Sequence, residues 1–131
     1  MEEHARILVV DDSAEVRRLL RKILEMEGYS VSEAADGREA LQHLYDEEVH
    51  LVLLDAMMPN VNGWQVLKAI REDERIANIP VIICTAREIV PGESPGWEKA
   101  DGAIHKPFRR SEVIGVVQEA LSAGKARSTS T

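Results

Sequence analysis

Three short runs leave this chain little freedom in how it folds: Ile7-Leu8-Val9-Val10, Leu51-Val52-Leu53-Leu54 and Val81-Ile82-Ile83-Cys84 are apolar at every position. A strand with one solvated face alternates apolar and polar residues, so unbroken apolar runs of this length predict strands covered on both sides. Longer amphipathic stretches separate the runs, and that alternation is the pattern of strand–helix units wound around a parallel sheet. Val31-Ser32-Glu33-Ala34 is more polar and suits an edge, and Ala103-Ile104-His105 is expected as a short fifth strand. The fold class is therefore α/β, an open doubly wound sheet of five parallel strands.

The connecting stretches carry helix signals. Val16, Leu19, Leu20, Ile23 and Leu24 fall at helical spacing and Gly28 follows as a stop. Asp36 with Glu39, and Asn62 with Gln65, have the spacing of an N-terminal cap, which starts the second and third helices. Val113, Val116, Val117, Ala120 and Leu121 form the stripe of a last helix. The fourth helical segment is irregular: Pro91-Gly92 and Pro95-Gly96 interrupt it, so a loop is expected with at most a short helix from about Pro95 to Ala100. These signals predict an extension over residues 1–5, one domain over 6–122 and a disordered polar tail over 123–131.

Composition narrows the function classes. A chain of 131 residues with 44% apolar content suffices for one core. The net charge of -7 and pI near 5.1 disfavour attraction to nucleic acid, so any DNA binding is expected to come from another chain. Cys84 is the lone cysteine, which excludes an intrachain disulfide and fits a reducing cytoplasm. The start, Met1-Glu2-Glu3-His4-Ala5-Arg6, lacks the basic and apolar character of a secretory signal, and no apolar run approaches a membrane span.

In an open doubly wound sheet, functional residues gather at the carboxyl ends of the strands. Asp11 and Asp12 directly follow the first strand and Asp55 follows the third. In strand order 2-1-3-4-5 those strands are neighbours, so three carboxylates converge. Like charges in one crevice repel, and a hard divalent cation with oxygen ligands would neutralise them; Mg²⁺ suits a site offering few direct carboxylates. A plainer reading of Asp12 with Glu15 is a helix cap, which leaves Asp11 and Asp55 unexplained. Thr85 follows the fourth strand and Lys106 the fifth. Either alone reads as an ordinary strand-end residue or surface charge. Together with the acids they offer a hydroxyl and an ammonium to a group with oxygen-borne negative charge, for which a phosphoryl group is the simplest candidate.

Asp11-Asp12, Leu53-Leu54-Asp55-Ala56-Met57-Met58-Pro59 with Gly63 behind it, Thr85-Ala86 and Lys106-Pro107-Phe108 resemble the receiver domains of two-component response regulators, including the single-domain chemotaxis regulators. The resemblance runs from about Arg6 to Leu121 and implies a flavodoxin-like fold. It implies that Asp55 accepts a phosphoryl group from a histidine kinase or histidine phosphotransfer protein. It also implies Mg²⁺, with Mn²⁺ as a substitute, held by Asp12, Asp55 and the backbone carbonyl of Met57, with Asp11 acting through a coordinated water. Lys106 would pair with a phosphoryl oxygen, Thr85 would bond another, and the Lys106-Pro107 peptide would be cis. The chain would be a signalling protein that catalyses its own phosphotransfer and autodephosphorylation. Signalling would proceed by altered binding to a downstream protein, as a monomer or a phosphorylation-dependent dimer, with no direct nucleic-acid or membrane binding.

The sequence departs from that pattern in one region. Receivers usually carry Tyr or Phe three residues before the lysine, and here the position is Ala103. The Pro-Gly pairs fall on the same face, so a different output geometry is expected. Met57 and Arg87 are expected to border the path of a hydrolytic water and to lengthen the phosphorylated state. Trp64 and Trp97 read as packing residues, Cys84 as an inert buried thiol, and Arg109 with Arg110 as a solvated helix entrance. The four histidines lack metal-ligand spacing. Two other readings stay open: an interaction module that works without phosphorylation, and a small aspartyl phosphatase or phosphomutase. The second of these normally has an acid two residues past the nucleophile, where this chain has Met57.

Overall fold

The computed structural model describes residues 5–56, 58, 63–86 and 99–129. The apolar runs are strands: β1 Arg6–Val10, β2 Ser30–Ala34, β3 Leu51–Asp55, β4 Val81–Thr85 and β5 Gly102–His105. They form one parallel sheet in the order β2-β1-β3-β4-β5, as expected, with the polar β2 at an edge. Among the described residues four helices cover it: α1 Ala14–Met26, α2 Gly37–Asp46, α3 Gly63–Glu72 and α4 Arg110–Thr129.

The wholly apolar strands follow from a core on each face. Leu8, Val10, Val52, Leu54, Val81 and Ile83 pack with Ala40 and Leu44 of α2 and with Val66, Leu67 and Ile70 of α3. Their neighbours in sequence, Ile7, Val9, Leu51, Leu53, Ile82 and Cys84, turn to the opposite face and meet Leu20, Ile23 and Leu24 of α1 and Val113 and Val117 of α4. Burial of each large aliphatic side chain stabilises the fold by about 1.5–3 kcal/mol. Trp64 packs partly buried against the α2–α3 side.

Helix ends are set locally. The Ser13 hydroxyl accepts the Val16 amide at 3.3 Å and so caps α1. Asp12 is not the cap, which removes the plainer reading of that residue. At the other end Gly28 adopts φ 93°, and the Gly28 and Tyr29 amides donate to Glu25 and Leu24 carbonyls, closing α1 as the glycine predicted. Asp36 caps α2, its carboxylate accepting the Glu39 amide at 2.8 Å.

One expectation is corrected. Leu19 is 50% exposed rather than part of the α1 stripe; one residue before Leu20, it is rotated by about 100° from the buried face. The last helix is Arg110–Thr129. Ala123, Lys125, Ala126 and Arg127 favour helix, and one Gly124 costs only about 1 kcal/mol. The Pro-Gly segment, Trp97, the Asn62 cap, the Met57 carbonyl and Arg87 lie outside the described residues.

Candidate functional site

The two cores bring the ends of β1, β3, β4 and β5 side by side. Val10 pairs with Leu54, so Asp11 follows β1 beside Asp55 at the end of β3; Asp55 in turn lies opposite Cys84, with Thr85 one residue on. The Lys106 amide donates to the Thr85 carbonyl at 2.8 Å, which ties the residue after β5 to the end of β4. The four strands thus deliver Asp11, Asp12, Asp55, Thr85 and Lys106 to one end of the sheet. Asp11, Asp55 and Thr85 are buried, and Asp12 is exposed.

A carboxylate oxygen from each of Asp11, Asp12 and Asp55 can be chosen so that all three lie within 4.8 Å of one another. Lys106 Nζ donates to Asp11 Oδ2 at 2.8 Å and stands 3.6 Å from Asp55 Oδ2. Burial is the largest single influence on the Lys106 ammonium and works to lower its pKa. The hydrogen bond and charge of Asp11, with the charge of Asp55, outweigh it, and the pKa is raised. One ammonium offsets one of three carboxylates, so the crevice keeps a surplus of negative charge. Hard oxygen donors at this spacing, with Asp12 open to solvent, fit a partly hydrated Mg²⁺.

The sequence reading assigned Lys106 to the phosphoryl group; in this structure its hydrogen-bond partner is Asp11. The Ser13 amide donates to Asp11 Oδ1 at 2.9 Å, so both oxygens of Asp11 are engaged. Gly63 opens α3 against the Asp55–Ala56 peptide: its amide donates to the Ala56 carbonyl at 3.0 Å, and a Cβ built on it would lie 2.3 Å from the Asp55 carbonyl oxygen. Only glycine permits that approach. The Lys106-Pro107 peptide is cis. Burial pushes the Cys84 thiol up to about 12, which makes it a poor nucleophile despite its position beside the site. Ala103, where an aromatic residue was expected, is partly buried on β5 opposite Ile83.

The response regulator receiver domain profile matches residues 7–118 of this sequence. The chain belongs to the response regulator receiver family. It is the phosphoacceptor module of two-component signalling. The Transcriptional regulatory protein CpxR homolog of Haemophilus influenzae is 42% identical over 118 residues, covering 89% of this receiver and 50% of the relative. Transcriptional regulatory protein ResD of Bacillus subtilis is 42% identical over 110 residues, covering 83% and 45%. The receiver thus spans about half the length of these curated relatives. Among solved structures, a CheY-like response regulator receiver domain protein from Methanospirillum hungatei superposes with a TM-score of 0.87 at 26% identity, covering 95% of this chain and 99% of that one. Response regulator TrrA from Thermotoga maritima, solved with Mg²⁺ and BeF, gives 0.79 at 34% identity, covering 88% and 98%. Among the described residues of this receiver no helix is long and apolar enough to cross a membrane.

Arg17 was missed by sequence reasoning. Its guanidinium donates to the Asp11 carbonyl at 2.6 Å and to Glu33 Oε1 at 3.1 Å. No spacing rule joins Arg17 to Glu33 of β2 or to the Asp11 carbonyl, and on sequence Arg17 reads as one of several charges on α1.

Proposed function

We propose that Asp55 is the phosphoacceptor and that transfer to it is catalysed by the receiver itself, with Mg²⁺ held by Asp12 and Asp55 and approached by Asp11. The observation that carries this reading is the convergence of three carboxylates and one ammonium at the end of β3. A bound Mg²⁺ would supply charge neutralisation for the carboxylates and the incoming phosphoryl oxygens. The Asp55 carboxylate oxygen attacks phosphorus, a P–O bond forms as the P–N bond of a phosphohistidine breaks, and the imidazole leaves with the electron pair. Such transfers pass through a loose in-line transition state, so positioning and charge matter more than covalent chemistry. Lys106 stands close enough to Asp55 to turn its ammonium toward a phosphoryl oxygen once an ion compensates Asp11. Thr85, buried at the neighbouring strand end, offers a hydroxyl to another.

The partners are a sensor histidine kinase or phosphotransfer protein and a downstream protein target, in the cytoplasm. Ala103 supports a switch that does not rely on an inward-turning ring on β5. Incubation with acetyl phosphate and Mg²⁺, followed by intact-mass measurement, tests the assignment. The wild type gains one phosphoryl group and Asp55→Asn gains none. Stoichiometric labelling of Asp55→Asn would overturn it.

A further inference from the structure

The turn that carries Asp11 and Asp12 is held at its main chain as well as at the Asp11 carboxylate that Lys106 meets. Arg17 lies on α1 with its side chain only 17% exposed, and its fork spans two partners at once, the Asp11 main-chain carbonyl and the Glu33 carboxylate. Glu33 belongs to the edge strand β2. Its second oxygen accepts Arg21 Nη1 at 2.6 Å, and Arg21 Nη2 donates to the Val31 carbonyl at 2.8 Å. Glu33 is therefore fixed between two guanidinium groups, and it fixes Arg17 in turn. On the β2 side the Asp11 amide donates to the Ala34 carbonyl at 3.1 Å. Like charge on three close carboxylates favours spreading them apart, and these bonds fix the main chain of the Asp11–Asp12 turn in place.

We infer that Arg17, oriented by Glu33, is a positioning residue for the cation site: it holds the Asp11–Asp12 turn so that the carboxylates stay within reach of a single ion shared with Asp55. The inference rests on the reading of Asp11, Asp12 and Asp55 as a Mg²⁺ site. Two effects of Arg17 on a cation have opposite sign. Its positive charge repels the ion, so charge alone makes Arg17→Gln bind Mg²⁺ more tightly. Its hydrogen bonds order the ligands, so positioning makes the same variant bind more weakly. Arg17→Lys keeps the charge but gives up the planar fork that reaches both partners.

Isothermal titration of the full chain with MgCl₂ at constant ionic strength reads the two effects directly, with thermal melting in EDTA as the measure of structural damage. Arg17→Gln and Arg17→Lys are each expected to weaken Mg²⁺ binding about tenfold, the low end of what loss of a ligand-orienting partner costs. Both are expected to melt close to the wild type in EDTA. Unchanged or tighter binding by Arg17→Gln, or wild-type affinity in Arg17→Lys, would overturn the inference. A lowered melting temperature without a change in affinity would also overturn it. If either Arg17 variant fails to fold, Glu33→Gln decides: a severalfold loss of affinity supports the role and an unchanged affinity overturns it. A wild type that takes up no Mg²⁺ overturns the reading of the acidic site itself, a result distinct from variants that bind as the wild type does.

Discussion

Gly63 carries no functional group, yet the geometry of Asp55 depends on it. The atoms that an added Cβ would meet, the Asp55 carbonyl oxygen at 2.3 Å and Ala56 Cα at 2.8 Å, are backbone and cannot rotate away. Gly63→Ala must therefore move either α3 or the Asp55–Ala56 peptide. Overpacking of this kind costs roughly 1–3 kcal/mol. We expect the urea midpoint to fall accordingly and the rate of labelling by acetyl phosphate to drop with it; a variant with wild-type stability and labelling would show that α3 can shift freely. Asp11, Asp55 and Thr85 were legible at this scale because each stands directly after an apolar run, and Asp12 and Lys106 because they stand at the ends of the expected first and fifth strands. Arg17 was not, since its meaning depends on Glu33, which reaches it only through the packing of α1 on β2. The direct bond from Lys106 to Asp11 likewise joins residues from opposite ends of the chain.

Elements were read most securely where the signal is local. The positive φ at Gly28 and the Asp36 cap involve residues a few positions apart, so the sequence contains both partners. Asp36→Ala removes the acceptor for the Glu39 amide at the start of α2. It should cost about 1 kcal/mol in urea denaturation while leaving acetyl phosphate labelling unchanged, because α2 follows β2 and contributes nothing to the acidic crevice. A loss of labelling would instead tie α2 to the site. The start of α1 was less legible: Asp12 and Ser13 are both good caps, and the choice of Ser13 frees Asp12 to stay in the crevice. Leu19 shows the same limit, since periodicity identifies a stripe but its margin is set by where β1 and β2 lie under the helix.

At the scale of the whole molecule, a surplus of negative charge at the strand ends opposes folding until a cation arrives. Mg²⁺ should therefore raise the melting temperature relative to EDTA at matched ionic strength. At a hundredfold excess over its Kd a ligand specific to the folded state contributes about 2.7 kcal/mol, which for a chain of this size is a shift on the order of 10 °C. Differential scanning fluorimetry with MgCl₂ against NaCl tests this, and equal curves would remove the acidic cluster as a cation site. The sequence by itself determined the layered α/β architecture, because runs such as Leu51-Val52-Leu53-Leu54 can be buried on both faces only in a covered parallel sheet. It also determined which residues stand at the strand ends. The tertiary structure alone decided how those residues pair: that Lys106 rests on Asp11, that Gly63 lies against the Asp55–Ala56 peptide, and that Arg17 and Glu33 brace the Asp11–Asp12 turn. Periodicity is a property of neighbours in the chain, whereas these contacts depend on how strand ends, loops and helices meet in space, as where Lys106 reaches Asp11 or Arg17 of α1 reaches Glu33 of β2.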